Sequence, residues 1–133
     1  MANVLALDVG TKRIGVAVAD TIVPIARPLT TLAVDGTEVD QIQKIVTNQL
    51  IETIVVGYPR NQSGDPTAQT AIAEEFAGKL DGIATIVFQD ESLTSVIAED
   101  RLKASKKPYD KADIDVQAAV IILQDYLETH HVA

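Results

Sequence analysis

The chain has 133 residues, the size of one ordinary domain and too short for two. Apolar residues make up 47% and aromatic ones only 4%, so Val, Ile, Leu and Ala must fill the core; with no cysteine, disulfides, thiolate metal sites and cysteine nucleophiles are all excluded. A formal net charge of −8 opposes indiscriminate binding to nucleic acid, because that affinity comes from neutralising phosphates with Lys and Arg.

Residues 3–9 are apolar almost throughout and predict a strand buried on both faces. Gly10-Thr11 marks a turn, and residues 13–20 resume with β-branched and small residues, giving a hairpin. Residues 25–34 predict a third strand, placed near a sheet edge by Pro24 and Pro28. Asp35-Gly36-Thr37 reads as a turn and helix cap, after which Val39, Ile42, Ile45, Val46 and Leu50 recur at helical spacing. Residues 54–57 form a short buried strand, and 59–66 a loop rich in Pro, Asn, Ser, Gly and Asp. Ala71, Ile72, Phe76 and Leu80 predict a helix over 67–80, closed by Asp81-Gly82. A strand at 83–88, a helix at 94–103, a mobile link at 104–110 broken by Pro108, and a last helix at 112–128 complete the chain. Three antiparallel strands followed by two parallel crossover strands predict one α/β domain over residues 1–133, a mixed five-stranded sheet flanked by helices.

The N-terminus enters its strand at once, which predicts no signal peptide. The most apolar stretch, 116–123, contains Gln117 and is too short to cross a bilayer. With the lack of cysteine, this predicts a soluble, cytoplasmic protein without membrane contact.

Three acids stand where strands and helices meet. Asp8 interrupts an apolar run at the end of the first strand, where a carboxylate needs N–H donors, a cation or a metal; capping the hairpin turn is the plain alternative. Asp90-Glu91 follows the last strand in the same way, with Asp90 also placed to cap the next helix. Asp115 is expected in the first turn of the last helix, where it suits the helix dipole or is aimed at the other two acids; Asp113 is less constrained. If the first and last strands are parallel, Asp8 and Glu91 face one crevice. Three converging carboxylates repel one another, and a divalent cation relieves this. Oxygen ligands suit Mg²⁺ or Mn²⁺, and two such ions about 4 Å apart can cleave a phosphodiester. Five of the eleven basic residues, Arg101, Lys103, Lys106, Lys107 and Lys111, fall in one short segment, a local basic surface or a solvated helix end.

The run Asp8-Val9-Gly10-Thr11-Lys12-Arg13-Ile14-Gly15-Val16-Ala17-Val18-Ala19-Asp20 resembles the N-terminal signature of the YqgF family. These are RuvC-like proteins connected with Holliday junction resolution and with nuclease processing of precursor 16S ribosomal RNA. Val55-Val56-Gly57-Tyr58-Pro59 with Asn61 and Gly64 is similar to the family's Gly-x-Pro loop. Asp90-Glu91-Ser92-Leu93-Thr94-Ser95 resembles its Asp-Glu-Arg-Leu block, and residues 114–119 with 122–127 resemble its closing helix. The resemblance covers almost the whole chain. It implies a ribonuclease H-like fold and a catalytic, metal-binding triad of Asp8, Glu91 and Asp115, with two Mg²⁺ or Mn²⁺ ions in the active complex. Lys12 and Arg13 match basic positions beside the first acid, as phosphate contacts or as a solvated hairpin tip. Arg60, Arg101, Lys103, Lys106 and Lys107 are the further candidates for nucleic-acid contact. Ser92 stands where the family usually has Arg, with Arg60 and Arg101 the candidates to replace that cation. Asp65-Pro66-Thr67-Ala68-Gln69 also departs from the family's loop, which carries a second Gly before Pro-Gln.

The resemblance implies an endonuclease acting on structured RNA, the 5′ end of precursor 16S ribosomal RNA, with the small ribosomal subunit as a possible partner and a monomer or homodimer as the acting form. The alternatives are a nuclease for branched DNA of the Holliday junction type, and a non-catalytic ribosome-assembly or nucleic-acid-binding factor. Asp8-Val9-Gly10-Thr11 also resembles the phosphate loop of actin-like ATPases and sugar kinases, but those enclose a nucleotide between two such domains, and this chain has length for one. His130 and His131 read as a solvated tail, and Tyr58, Tyr109 and Tyr126 as too dispersed to stack bases.

Overall fold

The computed structural model describes residues 3–20, 22–59, 67–91 and 94–129; the side chains of residues 59, 91 and 94–96 lie outside that description, as do Arg60, Asn61, Gly64, Ser92, Leu93, His130 and His131. Five strands, β1 (Asn3–Val9), β2 (Arg13–Asp20), β3 (Arg27–Ala33), β4 (Ile51–Pro59) and β5 (Thr85–Glu91), form one sheet in the order β3-β2-β1-β4-β5. The first three pair antiparallel, while β4 runs parallel to both β1 and β5. Four helices accompany them: α1 (Glu38–Asn48), α2 (Ala68–Lys79), α3 (Thr94–Ala104) and α4 (Lys111–Thr129). The mixed sheet flanked by helices is thus as expected, and β1 and β5 are parallel.

Strand alternation divides the apolar residues into two layers. Leu5, Leu7, Val16, Ile54 and Val56 face α1 and α2, where Ile42, Ala73, Phe76 and Leu80 close the larger core. Val4, Ala6, Ala17, Ala19 and Val55 face α4, against Ala119, Ile122, Leu123 and Leu127. The second layer is lined by small side chains on the sheet, so a helix can come close there. α3 packs on α4, with its Ala98 against Ala118 and Ile121.

Element boundaries differ from the expected ones where polar residues continue a strand. β5 runs on through Gln89-Asp90-Glu91, held by its ladder with β4 (Gly57↔Gln89, Tyr58↔Asp90, Pro59↔Glu91), although no apolar residue signals it. β4 starts earlier, at Ile51, because a register shift beside Asn3 and Val4 breaks the alternation that the pattern relied on. β3 is an edge strand, and its register with β2 shifts beside the pairing of Ala17 with Pro28. The helix expected to reach Leu50 stops at Asn48, and Leu50 takes a left-handed conformation, φ 54°. No helix among the described residues is long and apolar enough to cross a membrane.

Glu38 begins α1 and is buried, yet its carboxylate is satisfied by the backbone N–H groups of Gly36 (2.7 Å) and Asp35 (3.2 Å). Backbone hydrogen bonding, its own N–H first, holds this carboxyl below the usual glutamate value of 4.5 against the opposing effect of burial. A depressed folded-state pKa contributes stability that is complete above the unfolded value and lost as pH falls through the folded one. Glu38→Gln should therefore lower the thermal midpoint at neutral pH, with the two proteins converging as the pH drops below 4.5. Parallel midpoint-against-pH curves would remove Glu38 from the acid transition.

Candidate active site

Asp8 occupies the last alternation of β1 that faces α4, in the row of Val4 and Ala6, and is half-buried. The hairpin after it is tight: the Gly10 N–H donates to the Arg13 carbonyl at 3.0 Å, and a Cβ on Gly10 would lie 2.7 Å from that oxygen. Across the ladder Asp8 pairs with Gly15. A Cβ on Gly15 would lie 1.9 Å from the Asp115 carbonyl oxygen and 2.8 Å from the Val116 nitrogen, so the backbone of α4 rests directly on this glycine. No side-chain-bearing residue fits there. The absent side chain is what sets Asp115 beside Asp8.

Two further contacts fix the start of α4. The Thr31 hydroxyl donates to the Ala112 carbonyl at 2.9 Å, tying the first turn to β3. Asp110 and Asp113 exchange side chain–backbone hydrogen bonds, each 3.0 Å, closing a reciprocal cap of the capping-box kind. Asp113, read as the less constrained of the two acids, is exposed and takes the N-terminal role that the sequence left to Asp115. The helix begins at Lys111, one residue earlier than expected, and Asp115 sits in its second turn, free of capping duty. Its carboxylate is instead bound by Arg13, whose Nε lies 2.7 Å from Oδ2, with the two side chains 33% and 22% exposed. This is the one ion pair among the described residues.

The register also separates the two acids at the end of β5. Position 91 falls in the alternation of Val87, which packs in the α4 layer, whereas Asp90 falls in that of Ile86, which packs on the α1–α2 side. The backbone therefore selects Glu91 over Asp90 for the face that carries Asp8. Between them runs β4, where the buried Gly57 occupies the row of Val55. β1 and β5 are two strand spacings apart, about 10 Å, and at the level of Asp8 and Gln89 the strand between them presents no side chain on that face. The result is an open floor bounded by Asp8, Asp115 and the end of β5. Its donors are carboxylate oxygens, the chemistry that suits a hard divalent cation. Among the described residues no three such ligands form a closed cage; the side chain of Glu91 lies outside them.

The cations lie around this floor. Lys12 is exposed at the hairpin tip, its carbonyl accepting the Val34 N–H at 2.9 Å. Arg101, Lys103, Lys106, Lys107 and Lys111 are all exposed at the α3–α4 corner, and Lys111 stands one helical turn before Asp115. None of them is within ion-pair distance of a carboxylate among the described residues. Arg101 still acts on Asp125, whose carboxyl burial pushes up with help from Glu128, while Arg101 pulls it down. The link expected to be mobile is built as a hydrogen-bonded turn: the Ser105 N–H donates to Arg101 and Leu102 carbonyls, Lys106 N–H to Lys103, and Lys106 adopts φ 58°.

Sequence reading missed Gly15, Gly57 and an aromatic pair. Tyr58 meets Phe88 edge-on, ring centroids 5.1 Å apart, so Tyr58 is not isolated. Counting the alternation along β1, β2 and β4 would have found both glycines, since each falls in the row of an acid or of the small residues beneath α4.

The chain matches the family model described as RuvX: Holliday junction resolvase over residues 2–129. A protein of Chloroflexus aurantiacus named "Putative pre-16S rRNA nuclease" is 41% identical over 131 residues, covering 94% of this chain and 86% of its own length. One from Sulfurihydrogenibium sp. with the same name is 38% identical, covering 96% and 91%. Among solved structures, Thermus thermophilus RuvC in complex with a Holliday junction substrate shares the fold, with a TM-score of 0.58 at 13% identity and coverage of 97% and 96%.

Gly15→Ala should destabilise the protein by about 1–3 kcal/mol, since α4 must move off the sheet. Gly78→Ala, in α2 with open space around the added carbon, should instead stabilise it by about 0.5–1 kcal/mol. Urea unfolding of both variants checks this, and a neutral Gly15→Ala would mean that α4 yields without cost.

Proposed function

The chain belongs to the RuvX Holliday junction resolvase family, and from that premise we propose that it is a divalent-metal-dependent endonuclease whose substrate is precursor 16S ribosomal RNA. The single observation that carries the reading is the placement of Asp115 over Gly15, beside Asp8 and on the face that the register gives to Glu91. Such a set of carboxylate oxygens on one face suits a divalent cation. Asp8, Glu91 and Asp115 would hold Mg²⁺ or Mn²⁺. When bound, the metal supplies neutralisation of charge on the phosphate and activation of water. The chain's own residues do the rest. Gly57 leaves room for a phosphate between the strands that carry the acids. The rigid hairpin at Gly10 and the anchored start of α4 hold Asp8 and Asp115 in place before substrate arrives, so little reorganisation accompanies the reaction.

The exposed cations at the α3–α4 corner give the backbone of a polyanion a route to the floor, with Lys111 the last step before Asp115. They form a local basic path on a chain whose net charge is −8. That combination favours a folded RNA gripped over a short stretch rather than long duplex DNA held along its length. The names of the relatives from Chloroflexus and Sulfurihydrogenibium support the same substrate. The action of such an enzyme on ribosomal precursors places it in the cytoplasm.

Cleavage of end-labelled precursor ribosomal RNA and of a four-way DNA junction, each with Mg²⁺, Mn²⁺ or EDTA, tests the proposal. Wild type should cut the RNA only with metal, and Asp8→Asn should lower the rate about 100-fold or more. Preferential cutting of the junction would move the substrate to branched DNA. Cutting that survives EDTA or Asp8→Asn would overturn the metal-site reading itself.

A further inference from the structure

Arg13 and Asp115 are bound through a single nitrogen. Nε donates to Oδ2 at 2.7 Å, a charge-assisted hydrogen bond, and among the described residues the terminal NH₂ groups of Arg13 have no partner. Both ends of the pair are fixed by backbone. Arg13 opens β2, opposite Ala33 and three residues past Gly10, in the alternation of Gly15 that faces α4. Asp115 is pinned where its own carbonyl meets Gly15. A pair this exposed adds little to stability. A counter-ion would serve equally well as Lys, and a maximal grip on a carboxylate would use the two-pronged edge of the guanidinium. Neither describes this contact, which engages Nε with Asp115 and leaves the terminal nitrogens without a partner among the described residues.

Resting on the reading of this face as the nuclease site, we propose that Asp115 is a positioning residue for Arg13. It holds Nε so that the terminal nitrogens form a fork for the non-bridging oxygens of a phosphodiester beside Asp8. The cation that Ser92 does not provide next to Glu91 is then supplied from the opposite side of the floor, by β2. Asp115 thereby has two tasks on two oxygens: Oδ2 orients the phosphate clamp, and Oδ1 is left for the candidate metal.

The test is binding without cleavage. Affinity for a short single-stranded RNA is measured in EDTA, from about 50 to about 200 mM salt, where the slope of log affinity against log salt counts phosphate contacts. Arg13→Gln should reduce the slope by about 0.7, one phosphate on a single strand. Arg13→Lys keeps the charge and the slope but loses the fork, and should bind about tenfold more weakly. Asp115→Asn retains an acceptor oxygen for Nε while removing a negative charge, so it should bind RNA at least as tightly as wild type. Asp115→Ala removes the acceptor, and should bind more weakly although charge alone predicts the reverse. Equal affinities for Asp115→Asn and Asp115→Ala, an unchanged slope in Arg13→Gln, or wild-type affinity in Arg13→Lys would each overturn the proposal. Thermal midpoints of all four variants identify any that fail to fold, and the two Arg13 variants decide the matter if Asp115→Ala is among them. Because no metal and no turnover enter, a failure here leaves the nuclease reading standing, and a protein that cuts nothing can still show the clamp.

Discussion

The arrangement depends on a backbone-to-backbone contact between one helix and one strand. α4 rests on Gly15 with no side chain between them, and Ala6, Ala17 and Ala19 extend the shallow track on which it lies. Helix–sheet layers normally keep their distance because side chains from both surfaces interdigitate. Here the sheet contributes almost none along that line, so an element far away in sequence delivers a carboxylate to the end of β1. The opposite face is built differently, with Leu5, Leu7, Val16 and Val56 meeting Phe76 and Leu80 in a thick apolar layer. The thick layer supplies most of the burial that stabilises the fold, and the thin one supplies accuracy.

Charge is distributed in a complementary way. On the thin side packing sets the start of α4 on Gly15, opposite Asp8 in the ladder, and Arg13 forms the ion pair with Asp115. The basic residues of the α3–α4 corner are exposed and make no ion pair among the described residues. A net charge of −8 therefore says little about local potential. What matters near a surface is the charge within a Debye length, about 8 Å under physiological conditions.

Much of the fold was legible because its signals are periodic. β1, β2, α1 and α2 follow from alternation or helical spacing, and Pro24 and Pro28 marked β3 as an edge. The carboxyl end of β5 was not legible, because Gln89, Asp90 and Glu91 carry no apolar signal and are held by pairing with β4 alone. Asp8 and Asp115 stood out as acids next to apolar runs, but the reason they meet did not. It lies in Gly15, and a glycine leaves no trace in a hydrophobic pattern. The division of labour between Asp113 and Asp115 was hidden for a different cause. Which of two nearby acids caps a helix depends on where the helix starts, and Asp110, one residue before it, completes the cap.

The pairing of Asp8 with Gly15 also bears on how the chain finds its fold. Antiparallel hairpins can form one residue out of register, and such a slip turns one strand over. If β1 were the strand to turn, Asp8 would enter the apolar layer beneath α1 and α2, where a carboxylate has no partner. If β2 turned, Ile14 or Val16 would stand where Gly15 admits the helix, and α4 could not dock. Each error is rejected by a different layer. The residues proposed for chemistry thus double as a proofreading device for the first hairpin, and a protein that has misfolded there has no assembled site.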